Sequence, residues 1–118
     1  MMPRVRPPGL FATAPAVDGE REEIQLLHEQ PGTVRIERIV SRGHTTPEGQ
    51  WYDQDADEWV ALLQGEASIA YADGTTAKLA AGDWICLPAH CRHRVASTSS
   101  EPPAIWLAVH VMRHRTER

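Results

Sequence analysis

The sequence is divided by turn signals that leave room only for short secondary-structure elements. Pro31-Gly32, Asp73-Gly74 and Ala81-Gly82-Asp83 interrupt the apolar segments, and no helical stripe of apolar residues runs beyond about ten residues. The turns recur roughly every 8–12 residues, a spacing typical of β-sandwiches and barrels. We therefore expect an all-β fold. The predicted strands are 33–40, 59–63, 67–71, 75–79, 84–87, 93–97 and 104–112.

The chain of 118 residues has room for one domain. Four of its nine prolines lie in residues 1–19, which show no apolar periodicity. We expect an extended N-terminal arm there, either loose or laid along a partner subunit. A single β-barrel domain is then predicted over residues 20–118. Its first segment, residues 20–29, fits a strand or a short helix equally well.

The charge of the chain is concentrated in one segment. The net charge is −4, and Glu48–Glu58 contributes −5 from five acids with no Lys or Arg. A near-neutral chain with a local acidic cluster is a poor nucleic-acid binder. No apolar run approaches the roughly 20 residues of a membrane span, and Pro7-Pro8-Gly9 stands where a signal peptide would be apolar. These features predict a cytoplasmic protein that binds neither nucleic acid nor membranes, with Cys86 and Cys91 reduced.

Two spaced motifs carry a resemblance to a known family. Glu58 precedes Gly65 with six residues between them, and Gly82 is followed after five residues by Pro88 and then by His93. This order resembles the two motifs of the cupin superfamily. The resemblance implies a small single-domain cupin, whose fold is a jelly-roll barrel or double-stranded β-helix.

The resemblance extends over about residues 33–111 and includes two departures in the second motif. His90 stands where that motif has a glycine, and Ser97 stands where asparagine is usual. A cupin fold hosts many chemistries, so the fold alone does not assign a reaction.

The resemblance also implies a metal site in the mouth of the barrel. Cupins bind their metal through a His-x-His pair, the Glu of the first motif and the His of the second, so Glu58 and His93 carry over. No histidine stands at the His-x-His positions. Counting back from Glu58 gives either Trp51 and Asp53 or Tyr52 and Gln54.

The predicted metal ligands are Glu58, His93, Asp53, Gln54 and His90. Carboxylate and imidazole ligands suit Zn(II), Fe(II), Mn(II) or Ni(II) and can leave a position open for substrate. For Asp53, a position in a solvated loop is given the same weight as a role as metal ligand. For His90, a turn position without a ligand role is given the same weight as a ligand role. For His44 we favour a surface position, and for His110 a hydrogen-bonded core position over one facing the cavity.

Two functions follow as alternatives. The first is a small metal-binding cupin, either an enzyme or a binding protein, that acts on a small polar molecule in the barrel mouth. The second is a non-catalytic module that binds a small ligand or regulates without a metal, which the missing His-x-His favours. A homodimer is expected in either case, because the edge strands of a small barrel need covering.

Overall fold

The structure, a computed structural model, describes residues 9–13 and 22–113. This part of the chain forms eight β-strands and no helix. The strands are β1 (Glu23–Gln30), β2 (Val34–Ser41), β3 (Asp57–Gln64), β4 (Glu66–Tyr71), β5 (Thr76–Ala80), β6 (Trp84–Leu87), β7 (His93–Thr98) and β8 (Ala104–Val111). Within the described ranges there is thus no helix with the length and apolar character needed to cross a membrane.

The strands form two antiparallel sheets. One has the order β1-β2-β8-β3-β6, and the other has the order β5-β4-β7. The all-β jelly-roll prediction is confirmed. The seven strands expected from the turn spacing are present with ends within two residues of their predicted positions, and the ambiguous first segment is a strand.

The hydrophobic core lies between the two sheets. Leu62 and Trp106 of the larger sheet pack in one cluster with Ile69 and Leu79 of the smaller sheet, and all four are nearly inaccessible to solvent. Alternate residues of each strand supply these side chains, because successive side chains of a strand point to opposite faces. The core leaves a cavity at the end of the sandwich where β3 begins.

Gly65 makes the sharp connection between β3 and β4. Its φ of +85° lies in the left-handed region that favours glycine, and a Cβ there would come within 2.5 Å of the Ser99 side-chain oxygen. The Ser99 hydroxyl in turn donates to the Pro102 carbonyl and accepts the Glu66 amide N–H. This close approach of three segments explains the glycine of the first motif.

The outer face of the larger sheet is partly apolar and exposed. Trp84 has 59% of its surface exposed and lies 6.0 Å from Trp59, measured between ring centroids, and Cys86 is also exposed. Such a face suits association with a second sheet. Homodimerisation stays a prediction.

Arg38 joins residues 9–13 to the barrel. Its side chain projects from the outer face of β2, yet only 2% of the residue is exposed. Nη1 donates to the Ala12 carbonyl at 2.6 Å, and Nε donates to Oε1 of Gln25 on β1 at 2.9 Å. The described part of the predicted arm therefore contacts its own barrel; residues 1–8 and 14–19 lie outside the described ranges.

We predict that Arg38→Met lowers the free energy of unfolding by about 2–3 kcal/mol, measured by urea denaturation at neutral pH. The loss is expected because the buried Arg38 guanidinium donates to the Ala12 carbonyl and to the Gln25 side-chain oxygen, and Met can make neither hydrogen bond. Arg113→Met is the matched control, since Arg113 donates to Asp57 at 2.8 Å on the surface. Solvent screening makes its expected effect much smaller. Equal losses in the two variants would contradict a special role for Arg38.

Candidate functional site

A cavity of about 170 Å³ opens between the sheets and is lined by both apolar and ionisable side chains. Its polar lining includes Arg35, Glu37, Gln54, Glu58, His93 and His110. Pockets of this mixed kind are typical of sites that hold a small molecule and orient it with a few polar groups.

The strand register aligns three of these side chains in one row across the larger sheet. On the inner face, Arg35 of β2 pairs with His110 of β8, and His110 pairs with Glu58 of β3. Directly opposed residues of antiparallel strands have Cβ atoms about 4.5–5.5 Å apart. The sheet thus brings a guanidinium, an imidazole and a carboxylate together at one level of the cavity.

Glu58 is the buried carboxylate of this row. Burial raises its pKa above the usual value, and the charges of His110, His93 and Arg35 oppose the rise. Desolvation penalises the ionised form, so this carboxyl group holds its proton at a higher pH than a free glutamate would. A carboxyl group with this property beside two imidazoles is equipped to exchange protons with a bound molecule.

His93 faces Glu58 from the smaller sheet and is only 6% exposed. Its Nδ1 lies 2.8 Å from the Cys91 carbonyl oxygen, which can only accept, so Nδ1 carries the proton. In the tautomer that this contact selects, the lone pair of the imidazole lies on Nε2. Tyr52 stacks on the imidazole with ring centroids 5.5 Å apart, and its backbone N–H donates to the His93 carbonyl at 2.7 Å.

His110 is a buried, hydrogen-bonded residue that also faces the cavity. Its side chain is 5% exposed, it lines the cavity, and its Nε2 lies 3.1 Å from Oε1 of Glu37. Glu37 also has an oxygen 3.4 Å from Nε of Arg35. A chain of charge contacts thus runs from Arg35 through Glu37 to His110.

Sequence reasoning did not identify Arg35 or Glu37 as site residues. The alternation in β2 suggests that Val34 and Ile36 face inward, whereas the structure places Arg35 and Glu37 in the cavity lining. His110 on the last strand could have revealed them. Residues paired with His110 across the sheet lie on the same face, so they would also face the cavity.

The structure divides the five predicted ligands into two groups. Glu58, His93 and Gln54 line the cavity. Asp53 and His90 lie outside it and contact each other, with Oδ1 of Asp53 at 2.7 Å from Nδ1 of His90, and both side chains are about half exposed or more. Of the two possible registers before Glu58, the one with Tyr52 and Gln54 faces the cavity.

His90 occupies the position at which the second motif has a glycine. Its φ is +64°, in the left-handed region, and its backbone N–H donates to the Gln54 carbonyl at 2.8 Å. The Asp53 side chain and the more distant Asp55, at 3.4 Å, flank the imidazole on the surface. This exposed cluster supports the turn and does not face Glu58.

The donor set does not fit a complete metal centre. Within residues 9–13 and 22–113, no three His, Cys, Asp or Glu side chains are arranged to hold a metal ion. Catalytic zinc sites use three protein ligands, whereas Glu58 and His93 supply two, with the Gln54 amide as a weaker third. We therefore derive no reaction step through a metal.

Comparison with known proteins identifies the family. The family model for the cupin domain, Cupin_2, matches residues 38–110, which is more than half of the chain. The chain is a cupin. The match includes both motifs with Glu58, Gly65 and His93, and no curated protein matches this cupin in sequence.

Solved structures show the same fold. This cupin is 44% identical to a protein of Ralstonia eutropha JMP134 provisionally assigned as a mannose-6-phosphate isomerase, with 94% of this chain and 100% of that chain covered and a TM-score of 0.83. A cupin superfamily protein of Desulfitobacterium hafniense DCB-2 is 19% identical, with 96% and 94% covered and a TM-score of 0.73. The EutQ protein of Clostridium difficile is 15% identical, with 77% and 68% covered and a TM-score of 0.63. The last two likenesses concern the fold alone.

Proposed function

We propose that this cupin is an isomerase that moves a proton between adjacent carbons of a small hydroxylated carbonyl compound. The observation that carries the proposal is Glu58, a carboxyl group with a raised pKa in a cavity that also holds two imidazoles. The provisional assignment of the Ralstonia eutropha protein to an isomerase supports the same reaction class.

The isomerisation requires two proton transfers and no redox cofactor. Glu58 would remove the proton from the carbon beside the carbonyl group and return it to the neighbouring carbon. His93, through its unprotonated Nε2, would accept the hydroxyl proton and pass it to the former carbonyl oxygen. The atoms and electrons of the product equal those of the substrate, since an aldose becomes a ketose or the reverse.

The charge of the lining favours an uncharged substrate. Glu22, Glu37 and Glu58 face the cavity together with a single described Arg or Lys, Arg35. Glu37 lies beside that guanidinium, so little positive charge remains for a phosphate ester. We therefore propose neutral aldoses and ketoses as the first substrates to examine, with mannose 6-phosphate as the comparison.

Solvent exchange tests this function directly. The protein is incubated in deuterium oxide with neutral aldoses, neutral ketoses or mannose 6-phosphate, and deuterium at the carbon next to the carbonyl is followed by NMR. Incorporation that depends on the protein is expected for a neutral sugar. Absence of exchange in every compound would refute the isomerase proposal and favour the non-catalytic binding module.

A divalent cation is the second candidate for this cavity. Glu58, His93 and Gln54 are the predicted ligands that line it, and His93 offers Nε2 for coordination. If Zn, Fe, Mn or Ni binds there, elemental analysis of gently purified protein will show about one ion per chain, and Glu58→Gln and His93→Ala will each lose it. Substoichiometric metal, or metal that survives both substitutions, would overturn this ligand set. Glu66→Gln, on the exposed start of β4, should retain the ion.

The location and association of this cupin also stay predictions. We propose a cytoplasmic protein that works as a homodimer and binds a small molecule rather than nucleic acid or a membrane. The acidic excess of Glu48–Glu58 supports the part of this proposal that concerns nucleic acid.

A further inference from the structure

The lining of the cavity at Glu58 changes from charged to apolar along the strands of the larger sheet. Arg35 of β2 lies in the same cross-strand row as Glu58, and Ile39 lies four residues further along β2 on the same face. Four residues of a strand span about 13 Å. Ile39 pairs with Ile24 of β1, and both line the cavity. This sheet therefore offers ionisable groups at one end of the cavity and branched aliphatic groups at the other.

The smaller sheet shows the same change over a shorter distance. His93 and Val95 are two residues apart on β7, and both line the cavity. Two residues of a strand span about 7 Å and point to the same face. Across the sheet, His93 pairs with Tyr71 and Val95 pairs with Ile69. Both sheets thus become apolar away from the ionisable groups.

Three aliphatic side chains of this lining are accessible to a bound molecule, and we call Ile24, Ile39 and Val95 the apolar end. Ile24 has 58% of its surface exposed, and Ile39 and Val95 are half-buried. The buried parts of Ile39 and Val95 pack against the hydrophobic core, which holds both side chains in place. The apolar end is therefore preformed, which lowers the ordering cost of binding.

The carboxylates of the lining are engaged with other groups of the protein. Glu37 lies two residues after Arg35 on β2, and its two oxygens are 3.1 Å from Nε2 of His110 and 3.4 Å from Nε of Arg35. Oε2 of Glu22 accepts the Ser41 hydroxyl at 2.8 Å. Aliphatic side chains offer no partner to a hydroxyl group, so burying one at the apolar end costs free energy. Burying an alkyl group there is favourable.

We infer that the substrate carries an alkyl group at the end remote from its carbonyl group, and that Ile24, Ile39 and Val95 hold this group. The inference rests on the proposed function and narrows its substrate class to neutral aldoses and ketoses whose terminal carbon bears no hydroxyl group. With the reacting carbons at Glu58 and His93, the step of about 7 Å from His93 to Val95 corresponds to roughly the length of a six-carbon chain.

Pairs of sugars that differ by one hydroxyl group test this inference in the wild-type protein. The protein is titrated calorimetrically with mannose and 6-deoxymannose, and with glucose and 6-deoxyglucose. The favoured deoxy sugar is expected to bind about tenfold more tightly than its parent, because the parent buries a hydroxyl group without a partner. Equal or weaker binding of the deoxy sugar in both pairs, or no binding of either deoxy sugar, would overturn the inference.

Val95→Thr tests the apolar end itself. Threonine keeps the branched shape of valine, and the hydrogen bonds between positions 95 and 46 use only the backbone of Val95. The new hydroxyl group offers a partner to the parent sugar, so the preference for the deoxy sugar should fall from about tenfold to less than about threefold.

Val109→Thr is the matched control. Val109 is also half-buried, but it lies on the outer face of β8 and does not line the cavity. This variant should keep the tenfold preference. A preference that is unchanged in Val95→Thr, or that falls equally in the two variants, would overturn the role of the apolar end.

The binding measurements do not depend on catalysis at Glu58. If deuterium exchange fails with every sugar but the preference for a deoxy sugar depends on Val95, the isomerase proposal is wrong and the apolar end stands. If exchange occurs but parent and deoxy sugars bind equally well, the apolar end is wrong and the proposed function stands.

Discussion

Replacing Glu58 by glutamine is expected to lower isomerase turnover about a thousandfold and to raise the thermal stability at neutral pH. The amide cannot take a proton from carbon, and loss of a general base commonly costs 10²–10⁴ in rate, by order of magnitude. The amide also avoids the desolvation that raises the pKa of the Glu58 carboxyl group in the folded protein. Function and stability therefore oppose each other at this position.

The stability gain has a definite pH dependence. Because the folded-state pKa of Glu58 lies above its usual value of 4.5, the folded chain holds this proton more tightly than the unfolded chain does. The stability of the wild type therefore falls as pH rises from about 4.5 through the raised pKa, and the penalty persists above it. Glu58→Gln should lack this fall, so its advantage in Tm should be largest at neutral pH and vanish in acid.

Calorimetric scans across this pH range, together with turnover assays, check both expectations. Glu66→Gln removes an exposed carboxylate on β4 and serves as the control, with turnover and Tm close to those of the wild type. A Glu58→Gln protein that keeps turnover within tenfold of the wild type would exclude Glu58 as the base. A lower Tm at neutral pH would show that the contacts of Glu58 with His93 and His110 outweigh its desolvation.

Gly65→Ala is expected to destabilise the fold by about 3 kcal/mol or more. An alanine at its φ of +85° bears the strain of the left-handed region, about 1–2 kcal/mol. The new Cβ would also lie 3.0 Å from the Ala104 Cα and from the Pro103 carbonyl oxygen, where backbone atoms cannot rotate away. Strain and overpacking therefore add at this position.

Gly74→Ala isolates the strain from the crowding. Gly74 has a similar φ of +94° in the turn between β4 and β5, and a Cβ there would meet nothing within 4 Å. Its expected cost is about 1–2 kcal/mol, the strain alone. Urea unfolding of both variants measures the difference. Equal losses of unfolding free energy in the two variants would show that the structure relaxes around a Cβ at position 65. Close packing would then not be the reason for this glycine.

The fold could be predicted from the sequence because the conformation of a tight turn is determined by the few residues within it. Asp73-Gly74 predicts a tight hairpin, and in the structure an Asp73 carboxylate oxygen accepts both the Thr75 N–H and the Thr75 hydroxyl. The ambiguity of β1 had a physical basis. As an edge strand it leaves Ile24 and Leu26 more than half exposed, so no clear apolar alternation marked it.

The site could be predicted from the sequence only in part, because its geometry depends on contacts between strands that are far apart in the chain. The motif spacing predicted Glu58 and His93, and both line the cavity. Spacing could not choose between Asp53 and Gln54, because that choice depends on where the chain turns before β3. Arg35 was not predicted because both faces of β2 are covered in part. On the outer face, Arg38 is buried by its contacts with residues 9–13. Alternation within one strand cannot show which of two covered faces is the inner one.

The position of β8 between β2 and β3 has a consequence for synthesis on the ribosome. The larger sheet cannot close until β8 has emerged, because this strand hydrogen-bonds to β2 on one side and to β3 on the other. Until then the nascent β1–β2 hairpin and the β3–β6 pair expose two long unpaired edges, which are open to wrong partners. The larger sheet is therefore completed by its central strand, the last of the eight described strands to be made, and chaperones that shield strand edges would matter most just before that point.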